Sequence, residues 1–462
     1  MSLPNARVVL SSVQRLLRMG ATANLVNLLA KQRPVDVANL LKRLPERQAR
    51  AAFDSLLPGH PDLAIGALSE LDAKAATAFL IGRAAEEVAR LLARMAPDDS
   101  AGIVAELPTD LADQVVEALG QTGDVRRLLD YADRTAGRIM TPNVFALNED
   151  VTAGEAIAQL QGLSRPEVVF YLYVVDDRHH LLGVISLRKL VLVRADTPLT
   201  QIMTTDVLFV REDADQEDVA RQVATYNMLA VPVVDHEHRL VGVITVDDII
   251  DVIRDETTKD IQKIGGLEAL DEPYVQTPFW TLVQKRGRWL VVLFLGEMLT
   301  ATAMAYFQNE IAKAVILALF VPLIISSGGN SGSQAASLMI RAMAVGEVAL
   351  SDWWFILRRE AQSGLALGVI LGTVGFVRVT AWALLAHMYG PHWFLVATVV
   401  GVSLVGVVLW GTLAGAMLPF VMKRMGADPA TSSAPFVATL VDVTGLVIYF
   451  SVAATLLRGT LL

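Results

Sequence analysis

The sequence predicts a multidomain membrane protein: an α-helical N-terminal superhelical domain, a paired α/β domain and a five-span all-α transmembrane domain. Three observations lead there. Across 462 residues the hydrophobic content is 53% and the mean hydropathy +0.46, too apolar for ordinary soluble domains alone. That excess is confined to the C-terminal part: Lys285 to Leu462 hold 11 Lys/Arg and 7 Asp/Glu, against 28 and 41 before them. In between, a motif that begins at Val174 returns at Val233.

The net charge of −9 is also unevenly placed. Residues 196–284 carry 18 Asp/Glu and 6 Lys/Arg, whereas residues 1–195 are nearly balanced at 23 and 22. Such a cluster repels itself and nucleic acid alike, and bound cations stabilise it best; a merely solubilising surface is the competing explanation. Met1 to Gly20 contain no uninterrupted apolar core of a secretory signal, so the soluble part is expected on the cytoplasmic side of the cell membrane. Cysteine is absent, which excludes disulfides and thiolate metal sites.

Residues 1–132 read as short amphipathic helices ended by breakers: Leu40, Leu41, Leu44, Pro45; Leu91, Leu92, Met95, Pro97; Ile103, Val104, Leu107, Pro108. This recurrence predicts a stacked helical superhelix. Asp98 and Asp99 follow Pro97, where capping of the next helix competes with cation binding as their role.

Residues 138–256 contain the repeat, with copies at 138–195 and 200–256. Ile139-Met140-Thr141 matches Ile202-Met203-Thr204, and Leu181-Leu182-Gly183-Val184-Ile185-Ser186 matches Leu240-Val241-Gly242-Val243-Ile244-Thr245. Each copy reads strand, helix, strand, tight turn, strand, helix, and resembles a CBS domain. Such pairs commonly bind adenine nucleotides such as ATP through Gly-x-x-Thr-x-x-Asp. Gly242, Thr245 and Asp248 fit that pattern, while the first copy has Ser186 but Lys189 in place of the Asp. His179-His180 and His236-Glu237-His238 fall at polar hairpin tips, where exposed turn residues need no metal to explain them.

Residues 247–284 form a connection that opens as an acidic amphipathic helix and breaks at Gly265-Gly266. It is the natural mechanical coupler between the repeat and residues 285–462. Five apolar segments follow, at about 288–307, 313–340, 362–387, 393–421 and 434–457, each long enough for a hydrocarbon core that takes roughly 20 helical residues. With the N-terminus inside, Lys285, Arg286, Arg288, Arg341, Arg358, Arg359, Lys423 and Arg424 flank the inner ends. Only Lys313 and Arg458 flank the outer ends, as the positive-inside rule requires.

Two of these segments carry polar groups that a lipid-facing helix does not need. The second runs from Pro322 through Ser326, Gly328, Gly329 and Asn330 to Gln334, a pattern that predicts unwound backbone along a wet cavity or close packing through small residues. The fifth carries Asp442, four residues beyond Ala438; a mid-membrane carboxylate costs about 2.5–3.5 kcal/mol to insert and so usually faces a pathway. Arg378 in the third segment is an alternative partner for it, and Glu297 in the first is either a vestibule charge or a packing hydrogen bond.

The Pro-to-Gly-Gly-Asn-x-Gly-x-Gln run, the Asp428-Pro429 turn and Ala438-Thr439-x-x-Asp442-x-x-Gly445 resemble the MgtE family of magnesium channels, as does the order of domains. The resemblance implies a homodimer in membrane lipid, with a pore on the two-fold axis lined by the second and fifth spans. Asp442, Ala438, Asn330, Gly328, Gly329 and Gln334 would then face a Mg²⁺ ion. Family members often place Asn before the proline of the fifth span, where this chain has Ala434. The resemblance further implies gating by cytosolic Mg²⁺ at acidic positions, here Asp98, Asp99, Asp215, Glu217, Asp248, Asp251, Glu256 and Asp260. Asn227 and Lys259 stand where some members have acids.

Competing functions are transport of Co²⁺, Ni²⁺ or Mn²⁺, export, and a membrane enzyme. The enzyme is disfavoured because no His-Glu-x-x-His helix is present and the membrane part holds only His387 and His392. A CBS-bearing chloride channel would place more spans, and before the CBS pair. A bare sensor would not need Asp442 in lipid.

Overall fold

A computed structural model describes residues 3–120, 124–162, 170–270, 274, 277–458 and 460. The chain divides into two compact units, Met1–Arg254 and Asp255–Leu462. The first unit opens with short helices from Leu3–Arg18 to Asp124–Asp130. Its breakers start helices rather than merely ending them. Pro34, Pro61 and Pro97 stand in first turns, and Pro45 and Pro108 are N-caps, where a missing N–H costs nothing. The apolar doublets fall on the inner faces: Leu40, Leu41, Leu44, Leu91, Leu92, Ile103, Val104 and Leu107 are all buried in one core.

The repeat forms two three-stranded sheets of identical order. Strands β1 (Ala146–Asn148), β2 (Tyr171–Val175) and β3 (Leu181–Ser186) form the first; β4 (Val210–Arg211), β5 (Ala230–Val234) and β6 (Leu240–Thr245) form the second. In each, the first pair is parallel and the second antiparallel, with a bulge at Val174/Val175 and again at Val233/Val234. The opening segment of each copy packs on the other copy's sheet. Thr141 exchanges backbone hydrogen bonds with Val243, and Thr204 does so with Val184. A Cβ on Gly242 would lie 2.4 Å from Met140 Sδ, and one on Gly183 would lie 2.7 Å from Met203 Sδ. The repeated Met and Gly are therefore two sides of one contact, made twice across a pseudo-two-fold axis.

Among the described residues the second unit holds five helices long and apolar enough to cross a membrane: Phe279–Tyr306, Val315–Ala344, Leu350–Ala386, Trp393–Arg424 and Ala434–Leu456. They are the first to fifth spans below. The first and third begin earlier than their apolar stretches because charged flanks, with Lys285 and Arg358, continue the helix. The fourth is central, its apolar window 50% buried against 0% for the first.

The second span departs from the unwound backbone that its glycines suggested. After a 3₁₀ turn, Val315–Phe320, it is continuous helix over Val321–Ala344, with Pro322 in its first turn. Its small residues serve close packing instead. A Cβ on Gly411 would lie 2.4 Å from the Gly328 carbonyl oxygen, and one on Gly415 2.1 Å from that of Gly332. Third and fourth spans meet in the same way at Gly372 and Gly401. Three hydroxyls of this span have partners: Ser327 in Leu323 O, Ser331 in Thr412 Oγ1 at 2.7 Å, and Ser333 in Ala434 O at 2.9 Å.

Candidate permeation and sensing sites

In the membrane unit, Asp442 is half-exposed on the fifth span and lies against the second span at Gly329. A Cβ on Gly329 would sit 3.4 Å from Asp442 Oδ1 and 3.5 Å from Ala438 Cβ. Beside this contact Ser326, Asn330 and Gln334, spaced four residues apart, form one exposed polar stripe, and Asn330 Nδ2 donates to Ser326 Oγ at 3.4 Å. Gly328 is placed elsewhere, in the seam with Val407 and Val441. Ala438 lies inside a continuous helix, where its carbonyl accepts from the amide four residues on. It can face a hydrated ion but not hold a bare one. Arg378 stacks on Trp382, 3.4 Å from the ring centroid, and no ion pair joins it to Asp442 among the described residues. Glu297, exposed on the first span, stands within electrostatic range of Asp442.

In the cytosolic unit the fold brings together Asp98, Asp99, Asp247 and Asp248. The first two occupy the opening turn of Pro97–Glu106, whose N-cap is Ala96, so neither is the N-cap residue. The other two open Val246–Ile264. Asp98 Oδ2 accepts from Thr141 Oγ1 at 2.9 Å, whereas its Oδ1 is buried with no partner. Burial raises the Asp98 carboxyl above its ordinary range. Asp99 is pushed up to about 7 by burial and then by the charge of Asp98. Asp248 is likewise pushed up to about 7, by burial and then by Asp98. An orphaned acceptor among mutually repelling carboxylates is a fit for a hydrated cation.

The other five acidic candidates are Asp215, Glu217, Asp251, Glu256 and Asp260. Asp215 is the N-cap of Gln216–Tyr226, accepting from Glu217 N at 2.8 Å, and Glu217 pairs with Arg221. Asp251 is exposed one turn beyond Asp248. Glu256 is buried and pairs with Lys259 at 3.0 Å, so a base one turn on already answers its charge. Asp260 lies one turn further. Among the described residues no three His, Asp or Glu side chains converge closely enough to hold a bare metal; a Mg²⁺ here would keep most of its water.

For a nucleotide, Thr245 Oγ1 donates to Asp248 Oδ2 at 2.9 Å, so hydroxyl and carboxylate are side by side. Gly242 is committed to Met140. In the first copy Ser186 accepts from Lys189 N and simply caps its helix. Sequence reasoning missed Asp247 and Thr141. The Asp247-Asp248 doublet was the available signal for the first, and nothing local points to the second.

Among the described residues, five apolar helices, a polar stripe with one carboxylate and a CBS-like pair define a multi-pass membrane protein with a paired α/β domain. Residues 321–452 match the MgtE family of divalent cation transporters, 136–196 and 199–255 match CBS domains, and 32–134 match the MgtE intracellular N domain. The chain is 42% identical to the magnesium transporter MgtE of Thermus thermophilus over 73% of each chain. It is 28% identical to that of Bacillus subtilis over 96% of each. A solved cytosolic domain of the Mg²⁺ channel MgtE in complex with ATP is 32% identical, spans 53% of this chain and 99% of its own, and superposes with a TM-score of 0.49. The chain belongs to the MgtE family, and its N-terminal domains are intracellular.

Proposed function

We propose that this protein is a Mg²⁺ uptake channel that works as a homodimer and is closed by cytosolic Mg²⁺. The observation that carries the pore is the Asp442–Gly329 contact beside the Ser326–Asn330–Gln334 stripe. Mg²⁺ requires near-octahedral oxygen and sheds water reluctantly. A two-fold axis along this stripe would supply two Asp442 carboxylates and a ring of amides and hydroxyls for a largely hydrated ion. Those amides would also stand in for the Asn that Ala434 replaces. The first span, whose apolar window lies unburied within one chain, is free to meet lipid or the second copy along that face.

Gating is a population shift. Mg²⁺ held by Asp98, Asp99 and Asp248 satisfies the orphaned Asp98 oxygen and favours the compact state; its loss restores repulsion. The same Asp248 beside Thr245 suits an ATP ribose, which would couple the two ligands through one carboxylate.

Uptake by proteoliposomes is the test. Asp442→Asn is expected to abolish Mg²⁺ entry while leaving the protein folded, and uptake equal to the parent's would remove the pore assignment. Competition with Ca²⁺, Co²⁺, Ni²⁺ and Mn²⁺ decides the permeant, and preference for another of these would replace magnesium.

A further inference from the structure

We infer that Glu297 and Thr300 of the first span form, with Asp442, a binding site for a hydrated divalent cation, so that carboxylates of two spans hold the permeating ion. The inference rests on the channel reading and deepens it. Glu297 is exposed within one chain, near the middle of the apolar stretch that follows Trp289. A carboxylate at that depth needs a counter-charge or a wet surface. Among the described residues it makes no hydrogen bond or ion pair, so the packing bond that the sequence allowed is not made. The charge within its electrostatic range is Asp442, of the same sign. Two like charges held together on neighbouring spans are stabilised by a cation between them.

The register of the two spans brings a hydroxyl to the same level. Trp289 meets Phe436 with ring centroids 6.3 Å apart, and a Cβ on Gly296 would lie 3.0 Å from Thr439 Cγ2. Both contacts advance in the chain direction, so the first and fifth spans run parallel. Asp442, one turn past Thr439, therefore falls level with Leu299, between Glu297 and Thr300. Gly329 borders the same carboxylate from the second span, which leaves it in the cleft between the first and second.

Thr300 lies one turn beyond Gly296, on the face that packs against the fifth span. It is 9% exposed, the one buried residue of the first span among those described. Its Oγ1 is buried without a partner. By contrast Thr302 donates to Met298 O, Thr439 to Pro435 O and Thr444 to Leu440 O, each to the carbonyl one turn back. Thr300 leaves that ordinary bond unmade, and an orphaned hydroxyl beside two carboxylates is a group waiting for a ligand. Two carboxylates and a hydroxyl are too few for a bare Mg²⁺ but suit an ion that keeps most of its water.

Initial rates of Mg²⁺ uptake by the intact protein in liposomes, with the cytosolic side kept free of Mg²⁺, test this. Glu297→Gln keeps size and hydrogen bonding and removes the charge. It is expected to raise the half-saturating Mg²⁺ concentration about tenfold while the maximal rate stays within about twofold. Glu297→Asp should lie between this variant and the parent. Thr300→Val keeps the shape and removes the hydroxyl; it should raise half-saturation about threefold and melt no lower than the parent, because a buried polar group without a partner is lost. In nanodiscs, with Mn²⁺ as a spin probe, Glu297→Gln and Asp442→Asn should each lose the same part of the bound Mn²⁺, and the double variant no more. Parental half-saturation or parental Mn²⁺ binding in Glu297→Gln overturns the inference. A parent that carries no Mg²⁺ overturns the channel reading instead, and the Mn²⁺ titration still decides the site.

Discussion

Gly329 and Asp442 meet across the second and fifth spans with no side chain between them, and a Cβ on Gly329 would be 3.4 Å from Asp442 Oδ1. That distance is ordinary van der Waals contact, so alanine fits without displacing backbone. It would nevertheless take the place of water beside the carboxylate. Gly329→Ala is expected to lower Mg²⁺ uptake roughly tenfold, the effect of about 1.4 kcal/mol, with an unchanged thermal midpoint. An indicator-loaded liposome assay reads the first and a melt in detergent the second; parental uptake would show that the carboxylate needs no such space.

Gly415 and Gly287 predict opposite outcomes for the same substitution. At Gly415 a Cβ would fall 2.1 Å from the Gly332 carbonyl oxygen, and helix backbone cannot yield as a side-chain tip can. Gly415→Ala should destabilise the membrane unit by about 1–3 kcal/mol or more. Nothing lies within 4 Å of a Cβ on Gly287, inside the first helix, so Gly287→Ala should stabilise by about 0.5–1 kcal/mol. Unfolding in denaturant, followed by tryptophan fluorescence, separates the two.

The raised carboxyls of Asp99 and Asp248, both at about 7, set a pH dependence of definite sign. Each binds its proton more tightly folded than unfolded, where the ordinary value is about 4. The stability they contribute is full below about pH 4 and is lost as pH rises through about 7. Without Mg²⁺, protease resistance of residues 1–254 should therefore fall between pH 6 and 8, and Mg²⁺ should restore more of it at pH 8 than at pH 6. Asp98→Asn removes the charge that acts on both groups, and should flatten the pH profile and weaken the response to Mg²⁺ together. A profile that rises with pH would contradict the arrangement.

Much of this protein was legible from periodicity. Apolar doublets before prolines marked the inner faces of the N-terminal helices, and the repeated Ile-Met-Thr and Gly-Val-Ile runs marked two equivalent units. A lone Asp442 in apolar surroundings marked a candidate pathway because burying a charge has so few structural uses. What sequence left open was the reading of small residues in the second span. Glycine is permissive for loosened backbone and for tight packing alike. Only the carbonyl of a neighbouring helix shows which, and at Gly328 and Gly332 it is packing.

The acidic positions divide along the same line. Their abundance between residues 196 and 284 is local information and was visible directly. Their pairing is local only in part: Glu217 is answered by Arg221 and Glu256 by Lys259 about one helical turn on, while Asp98 meets Thr141 and the Asp247-Asp248 doublet from far along the chain. Span number, orientation and the repeat follow from composition and period, because burial and backbone hydrogen bonding act on every residue of a segment at once. Which distant carboxylates converge and which glycines touch backbone depend on contacts between separate segments, and only the tertiary fold decides those.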